Sequence, residues 1–544
     1  MNRILIVHLK RFGDLISAGQ TISAIKAKHP HSEVSLLCFE EFSSVARLIP
    51  GLKKTYTISR NTLLTLSNGK LYNTGFALEE LRLRLMPLIE SPWDKIVNLT
   101  NDLASAHLCS WISCHDLNVS IEGVCVDEYG LAVSSNSWAS VFNDVLPQAG
   151  LNSPFNFRDV WAKMLDLSDQ GIAPLLTNPR NEETVNRNFQ SLRRGGIKVI
   201  GIQATCSIED KGLGAELVAR LAEEISTDGH RPVLLIAPNE SEREFASQIL
   251  EQIEYQPIVV ESDFTALSSV VRNLDLLITP DTVTKHFADA HGTACVEISL
   301  GSSPVFKQAT MNPKSVLLSA KDRDFSQVSV DDILSAVTFC LNNGKTGLEL
   351  AQQATAYRPV KIADTTAYQV IGGSYNQDDE FNRHATSALI LKMNQNDDEF
   401  VNDYALLAIK AATSAKSFTN WIEQTKEQSA LTMKDVLHAI RALLQMSENP
   451  RKSAEFIESL DRLFANTEYL LPANVAVHFF KSKVECLPPS SFQQNTKSIE
   501  ELLFKLKSDL QHTMNLLSQW HTLWTESKFE SRKQRQSALT QESL

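Results

Sequence analysis

"IKVIGIQATCSIEDKGLGAELVARLAEEIS", residues Ile197–Ser226, reads as a strand, a polar loop and an amphipathic helix. The strand, Ile197–Gln203, is a mostly continuous apolar run with no polar alternation. Such a run suits a parallel strand covered on both faces. The helix follows from Leu213 to Ser226. The same unit then repeats downstream. "RPVLLIA" (Arg231–Ala237), "PIVV" (Pro257–Val260), "LDLLITP" (Leu274–Pro280) and "CVEISL" (Cys295–Leu300) are strands, with helical patterns between them. This alternation predicts a doubly wound parallel sheet.

Upstream the pattern has already run once. "RILIVH" (Arg3–His8), "EVSLLCF" (Glu33–Phe39), "WDKIVNL" (Trp93–Leu99) and "NVSIEGV" (Asn118–Val124) are strands, and a helix is expected from Leu15 to about Lys28. A polar stretch, Leu167–Gly196, joins the two halves. Beyond Gly373 no glycine occurs, so the tight turns of an α/β fold give way to another architecture. Helices are expected over Phe400–Lys416, Thr432–Met446, Ser453–Ala465 and Lys497–Lys528. The expected fold class is α/β: two doubly wound, Rossmann-like domains facing a cleft, plus an all-α C-terminal region. The expected boundaries are 1–175, 176–350 and 351–544, the last being a linker and helical accessory region hinged near Gly372-Gly373.

The 544 residues exceed what one core organises. A formal net charge of -12 argues against a general nucleic-acid surface, which needs a basic face, but not against a local phosphate pocket. No secretory signal or membrane-spanning run is read from the sequence, so a cytoplasmic location is expected. Cys109, Cys114, His115 and Cys125 lie near one another. Their spacing matches no standard zinc pattern, and "SAHLCSWISC" reads as a buried helix; core packing is preferred to a metal site.

In doubly wound folds ligands bind beyond the carboxyl ends of the strands. Four motifs sit there. In "RFGDL" (Arg11–Leu15), Gly13 permits a turn and Asp14 either caps the following helix or works as a general base. In "QATCSIEDKGLG" (Gln203–Gly214), Thr205 and Lys211 can hold a phosphate at a helix N-terminus, although the loop is no Walker motif; an ordinary solvated lysine is the plain alternative. In "TPDTVTKHFADAHG" (Thr279–Gly292), Asp281, Thr282, Val283, Thr284 and His286 crowd one strand-to-helix turn; the plain alternative is an Asp281 cap and a core histidine. In "SLGSSPV" (Ser299–Val305), Gly301 and Ser302 allow close backbone approach to a ligand.

Taken together, the four motifs resemble those of glycosyltransferase family 9, the bacterial heptosyltransferases, over about residues 1–345. Phe12-Gly13-Asp14 is similar to the family's leucine-glycine-aspartate turn, Lys211 with Leu213 to its lysine loop, and Gly301-Ser302-Ser303 to its glycine-proline-threonine turn. Asp281, Thr282, His286, Ala288, Ala290, Gly292 and Thr293 stand where the family's strongest signature has its residues. Departures are His8 for an arginine, Val283 for the signature glycine, Leu213 for a tryptophan, and "WDKIVNLTNDLAS" for an aspartate-leucine-glutamine stretch. The resemblance implies a GT-B fold and an inverting, metal-independent transferase. It would move a heptose-like sugar from a nucleotide diphosphate donor, ADP-heptose-like, to a hydroxyl of a lipopolysaccharide-type glycan. It implies no cofactor beyond that donor. Asp14 would be the base, and Gly13, Thr205, Lys211, Asp281, Thr282, Val283, Thr284, His286, Gly301 and Ser302 would surround the donor. The acceptor would be a glycan or glycolipid, met in the cytoplasm or peripherally at the inner membrane. Two alternatives stay open: transfer to a surface or motility protein docked by the helical tail, and a scaffold whose transferase site has decayed.

Overall fold

A computed structural model describes residues 2–541 except 70–72, 117, 151, 169–171, 207, 352, 363, 396–398, 466 and 468. The chain forms two compact units. One comprises Met1–Ala139 with Asn156–Tyr375, the other Ser140–Phe155 with Asn376–Leu544.

The first unit holds two parallel sheets. Strands β1 (Arg3–Val7), β2 (Glu33–Phe39), β3 (Leu52–Ile58), β4 (Lys95–Asn98) and β5 (Ser120–Glu122) pair in the order β3-β2-β1-β4-β5. The order reverses beside β1, which is the switch point where a doubly wound sheet opens a ligand crevice. A small hairpin follows, β6 (Val124–Val126) and β7 (Ala132–Ser134). The expected strand Asn118–Val124 is therefore split. At Gly123 φ is +104°, and a Cβ there would lie 2.3 Å from the Asn98 carbonyl oxygen.

The second sheet repeats the topology. Strands β8 (Val199–Gln203), β9 (Arg231–Ile236), β10 (Ile258–Glu261), β11 (Leu276–Pro280), β12 (Cys295–Ile298) and β13 (Val316–Ala320) pair in the order β10-β9-β8-β11-β12-β13, all parallel. Its switch point lies between β8 and β11. The sheet does not stop at residue 350. Strands β14 (Ala354–Ile362) and β15 (Thr365–Gly373) add an antiparallel hairpin to β13. This corrects the expected linker and hinge: Gly372 and Gly373 belong to a sheet edge, and the division falls after Tyr375. The core of this half packs Ile200, Ile202, Val218, Leu221, Leu276, Ile278, Val296 and Leu318.

The second unit is helical. The helices Gln377–Gln395, Glu399–Ala411, Ala415–Glu448, Ser453–Ala465, Val475–Glu485 and Phe492–Gln541 make it up, joined by the excursion Ser140–Phe155 from the middle of the chain. Its core gathers Val436, Leu443, Phe456, Phe480, Leu503, Leu506 and Leu510. The helices over residues 377–395 and 475–485 were not expected from sequence, nor was the share of residues 140–155 in this unit. Among the described residues no helix is long and apolar enough to cross a membrane.

Candidate functional site

Asp14 follows β1 in the helix Phe12–Lys28. It is not the cap: Arg11 occupies that position, without a side-chain bond, and Asp14 sits in the first turn. There it gains from the helix dipole, and the capping role expected of it is corrected. Its carboxylate is nearly buried and accepts hydrogen bonds from Gln308 Nε2 and from Arg11 Nε at 3.5 Å. Arg11 Nη2 also donates to Gln308 Oε1 at 3.4 Å. Asp14 is thus held between its own loop and the loop after β12.

Gly13 also departs from expectation. It lies inside the helix and has no left-handed φ, so no turn requires it. What requires it is His286 of the helix Val283–His291: a Cβ at Gly13 would lie 2.5 Å from His286 Cδ2. Ser17, one turn on, meets the same ring, with Oγ 3.1 Å from Nδ1. The two switch-point helices, one from each sheet, therefore touch through glycine, serine and histidine. Phe12 also packs on Phe264 of the helix Phe264–Arg272, with centroids 4.6 Å apart. Burial and neighbouring Lys285 keep His286 well below its ordinary pKa, so the ring is neutral at pH 7.

The turn after β11 is charged throughout. Asp281 accepts from Lys285 Nζ at 2.6 Å and faces Lys211 Nζ at 3.6 Å. Lys285 is fully buried and also donates to Glu297 Oε1 of β12 at 2.9 Å. Burial opposes the charge on Asp281, but Lys285, by charge and hydrogen bond, and Lys211 hold its carboxyl well below the usual range. Burial opposes the charge on Lys285 as well, and Asp281 and Glu297 outweigh it. Glu297 is pushed up to about 7 by burial, with Lys285 pulling the other way. Lys285 and Glu297 were not expected to take part.

Thr282 heads the helix Val283–His291 without capping it. Its Oγ1 lies 3.0 Å from Thr279 Oγ1 instead. The first-turn amides consequently have no side-chain acceptor, an arrangement suited to an anion. Val283 starts the helix with no left-handed φ, so this backbone does not need the glycine of the family signature. Thr284 Oγ1 is 3.5 Å from Gln203 Oε1, and Gln203 Nε2 donates to Thr205 Oγ1 at 2.9 Å. Thr205 donates to Glu242 at 2.5 Å. Gly301, at φ +59°, presses against Asp210, whose carboxylate accepts from Ser302 N at 3.3 Å and from Ser302 Oγ at 3.2 Å. Asp210 thereby fastens the β8 loop to the β12 loop. Leu213 turns into the sheet core, its amide on the Ala204 carbonyl.

The expected residues fall into two connected groups, Gly13, Asp14 and His286 in one and Thr205, Lys211, Asp281, Thr282, Thr284, Gly301 and Ser302 in the other. His286 and Asp281 share one helix start. The cysteines are elsewhere: Cys109 is buried on the core face of the helix Leu103–Ser113, and Cys114 is exposed at its end.

Two doubly wound sheets whose switch-point helices meet make up one α/β unit, and in such sheets ligands bind beyond the carboxyl ends of the strands. The glycosyltransferase family 9 (heptosyltransferase) model matches residues 147–333. That segment is similar to the family, and the match supports a glycosyltransferase as the enzyme class. Asp14 and the helical unit's C-terminal part lie outside the match. The structure is similar to a family 9 glycosyl transferase from Veillonella parvula, at 16% identity over 63% of this chain and 97% of that one, with a TM-score of 0.47. It is also similar to E. coli heptosyltransferase WaaC with ADP, at 14% identity over 62% and 99%, with a TM-score of 0.47. A third similar structure is E. coli ADP-heptose lps heptosyltransferase II, at 15% identity over 64% and 100%, with a TM-score of 0.46. Among curated proteins, none matches this chain.

Proposed function

We propose that the chain is an inverting glycosyltransferase that needs no metal and moves a heptose-like sugar from a nucleotide diphosphate to a hydroxyl of a lipopolysaccharide-type glycan in the cytoplasm. The observation that carries this reading is the meeting of the two switch-point helices, where Gly13 and Ser17, on either side of Asp14 in sequence, press on His286 of the helix Val283–His291, whose start has no side-chain cap. Asp14 takes the proton of the acceptor hydroxyl as its oxygen attacks the anomeric carbon. The bond from that carbon to the diphosphate oxygen breaks, and the departing charge meets Lys211 and the first-turn amides near Thr282, Val283 and Thr284. Lys211 must exchange Asp281 for phosphate when the donor arrives; Lys285 remains to balance Asp281. Gln308 must likewise leave Asp14 when the acceptor arrives.

The test is a panel of nucleotide sugars with released nucleotide and product anomer as readouts, run with and without a chelator. Retained activity under chelation is expected. Asp14→Asn should keep the melting temperature and nucleotide affinity while turnover falls about 10²–10⁴-fold, the usual worth of a positioned base. Lys211→Ala should weaken donor binding by about 1.5–3 kcal/mol, the value of a charge-assisted hydrogen bond. Full turnover in Asp14→Asn would remove the base assignment, and nucleotide affinity untouched in Lys211→Ala would move the donor pocket elsewhere.

A further inference from the structure

The helix Gln377–Gln395 places Asp379, Asn382, Arg383 and Thr386 at i, i+3, i+4 and i+7, on one face. That face lines a cavity of about 190 Å³, closed by Asn152 and Pro154 of the excursion and by Tyr469, Leu470 and Leu471. All of these residues belong to the helical unit, remote in sequence from the transferase motifs. Its walls are tied together: Ser387 Oγ donates to the Pro154 carbonyl at 2.9 Å, and Leu470 N to the Gln148 carbonyl at 3.1 Å.

Two polar groups in the lining are oriented and unused. Trp421 Nε1 donates to Asn382 Oδ1 at 2.9 Å, which fixes the carboxamide and leaves its NH₂ donors uncommitted. Thr386 is 2% exposed, and its Oγ1 has no hydrogen-bond partner. A buried hydroxyl left unmatched is unfavourable, and a ligand in the cavity would match it. Arg383 is buried with Glu380 as its ion partner, so the cavity offers no free cation to an anionic ligand. Asp379 supplies an acceptor at the helix start.

We propose that this cavity binds one neutral sugar residue. An acceptor, a pair of amide donors and a hydroxyl along one helix face match the vicinal hydroxyls of a pyranose. Pro154, Leu470 and Leu471 offer an apolar wall to its C–H face, and exposed Tyr469 is also in the lining. A volume of about 190 Å³ accommodates a single sugar ring. The site rests on the helical unit's own geometry and does not require the transfer reading.

The full chain should be titrated with methyl glycosides of glucose, galactose, mannose, N-acetylglucosamine and a heptose, using calorimetry and saturation-transfer NMR. Inorganic phosphate and free arginine serve as charged comparisons. Saturable binding of at least one neutral glycoside is expected. Thr386→Val and Asp379→Asn should each weaken it by about tenfold, the equivalent of one lost hydrogen bond. Their thermal melting should be unchanged, and Asp14→Asn should bind the glycoside like the natural sequence. The proposal is overturned by no saturable binding, by binding indifferent to both cavity substitutions, by preference for phosphate or arginine, or by binding lost in Asp14→Asn, which would place the sugar at the transfer centre. Loss of turnover in Asp14→Asn with the glycoside still bound tests the two readings apart.

Discussion

Gly13 and His8 stand on either side of the loop after β1, and each is explained by what surrounds it. Gly13 keeps a helix of the first sheet within reach of the His286 ring, and any side chain larger than hydrogen would push the two helices apart. His8 takes the place of a family arginine and cannot do an arginine's work. Its ring is fully buried, neither nitrogen has a hydrogen-bond partner, and it meets Trp161 edge-on with centroids 5.9 Å apart. Burial lowers its pKa from 6.5 to about 4, with Asp14 opposing and Lys10 assisting. The unfolded chain therefore binds a proton that the native state refuses as pH falls from 6.5 towards 4. Native stability is undiminished by His8 above that window and is lost through it, to the order of 3 kcal/mol at the acid end. Phenylalanine fills a similar volume with no nitrogen to bury. His8→Phe should leave the urea midpoint at pH 7 equal or higher and should flatten its decline between pH 6.5 and 4. An unchanged acid slope would show that the other low-pKa histidines, His286, His291, His384 and His478, carry the effect.

At the scale of elements, the turn after β11 depends on a buried lysine that bridges a helix and a strand. Lys285 and Asp281 are visible in sequence as an i, i+4 pair, but Glu297 reaches them only because β12 lies beside β11. Removing the lysine leaves two buried carboxylates facing one another, at a cost of about 3–5 kcal/mol. Lys285→Met should lower the urea midpoint accordingly and weaken donor binding, because Asp281 would then hold Lys211 more firmly. Adding Glu297→Gln should restore part of the stability; no recovery would mean that the lysine acts through packing alone. The same contrast explains what could be read beforehand. The central strands β1, β2, β8, β9 and β11 are covered on both faces and announce themselves as apolar runs. Edge strand β3, "LKKTYTI", is half exposed and carries two lysines, and β14 contains Pro359, so neither shows that signal. Asp14, Lys211 and His286 were legible because each follows a strand end. Gln308, Asp210 and Glu297 were not, since their partners lie 294, 92 and 12 residues away in the chain.

The whole molecule divides differently from its sequence. Cutting near residue 350 would remove β14 and β15 and bare the edge of β13. It would also remove buried Tyr368, whose hydroxyl donates to the Ala309 carbonyl and accepts from Asn156 Nδ2, both at 3.1 Å. Asp159 would lose the bond that it accepts from Thr366 N at 2.8 Å. Cutting after Tyr375 keeps both sheets whole, but it leaves Ser140–Phe155 without the helices that complete its unit. Phe142, Val145, Leu146 and Phe155 in that segment are buried in the intact chain and would be left without their cover. A fragment of residues 1–350 should therefore aggregate, and 1–375 should be soluble only when Ser140–Phe155 is replaced by a glycine-serine linker. Gel filtration and thermal melting of the three fragments decide it. If 1–350 melts cooperatively as a monomer, the hairpin is dispensable; if 1–375 behaves well with the excursion in place, those apolar side chains find cover within the first unit and the division at Ala139 and Asn156 is wrong.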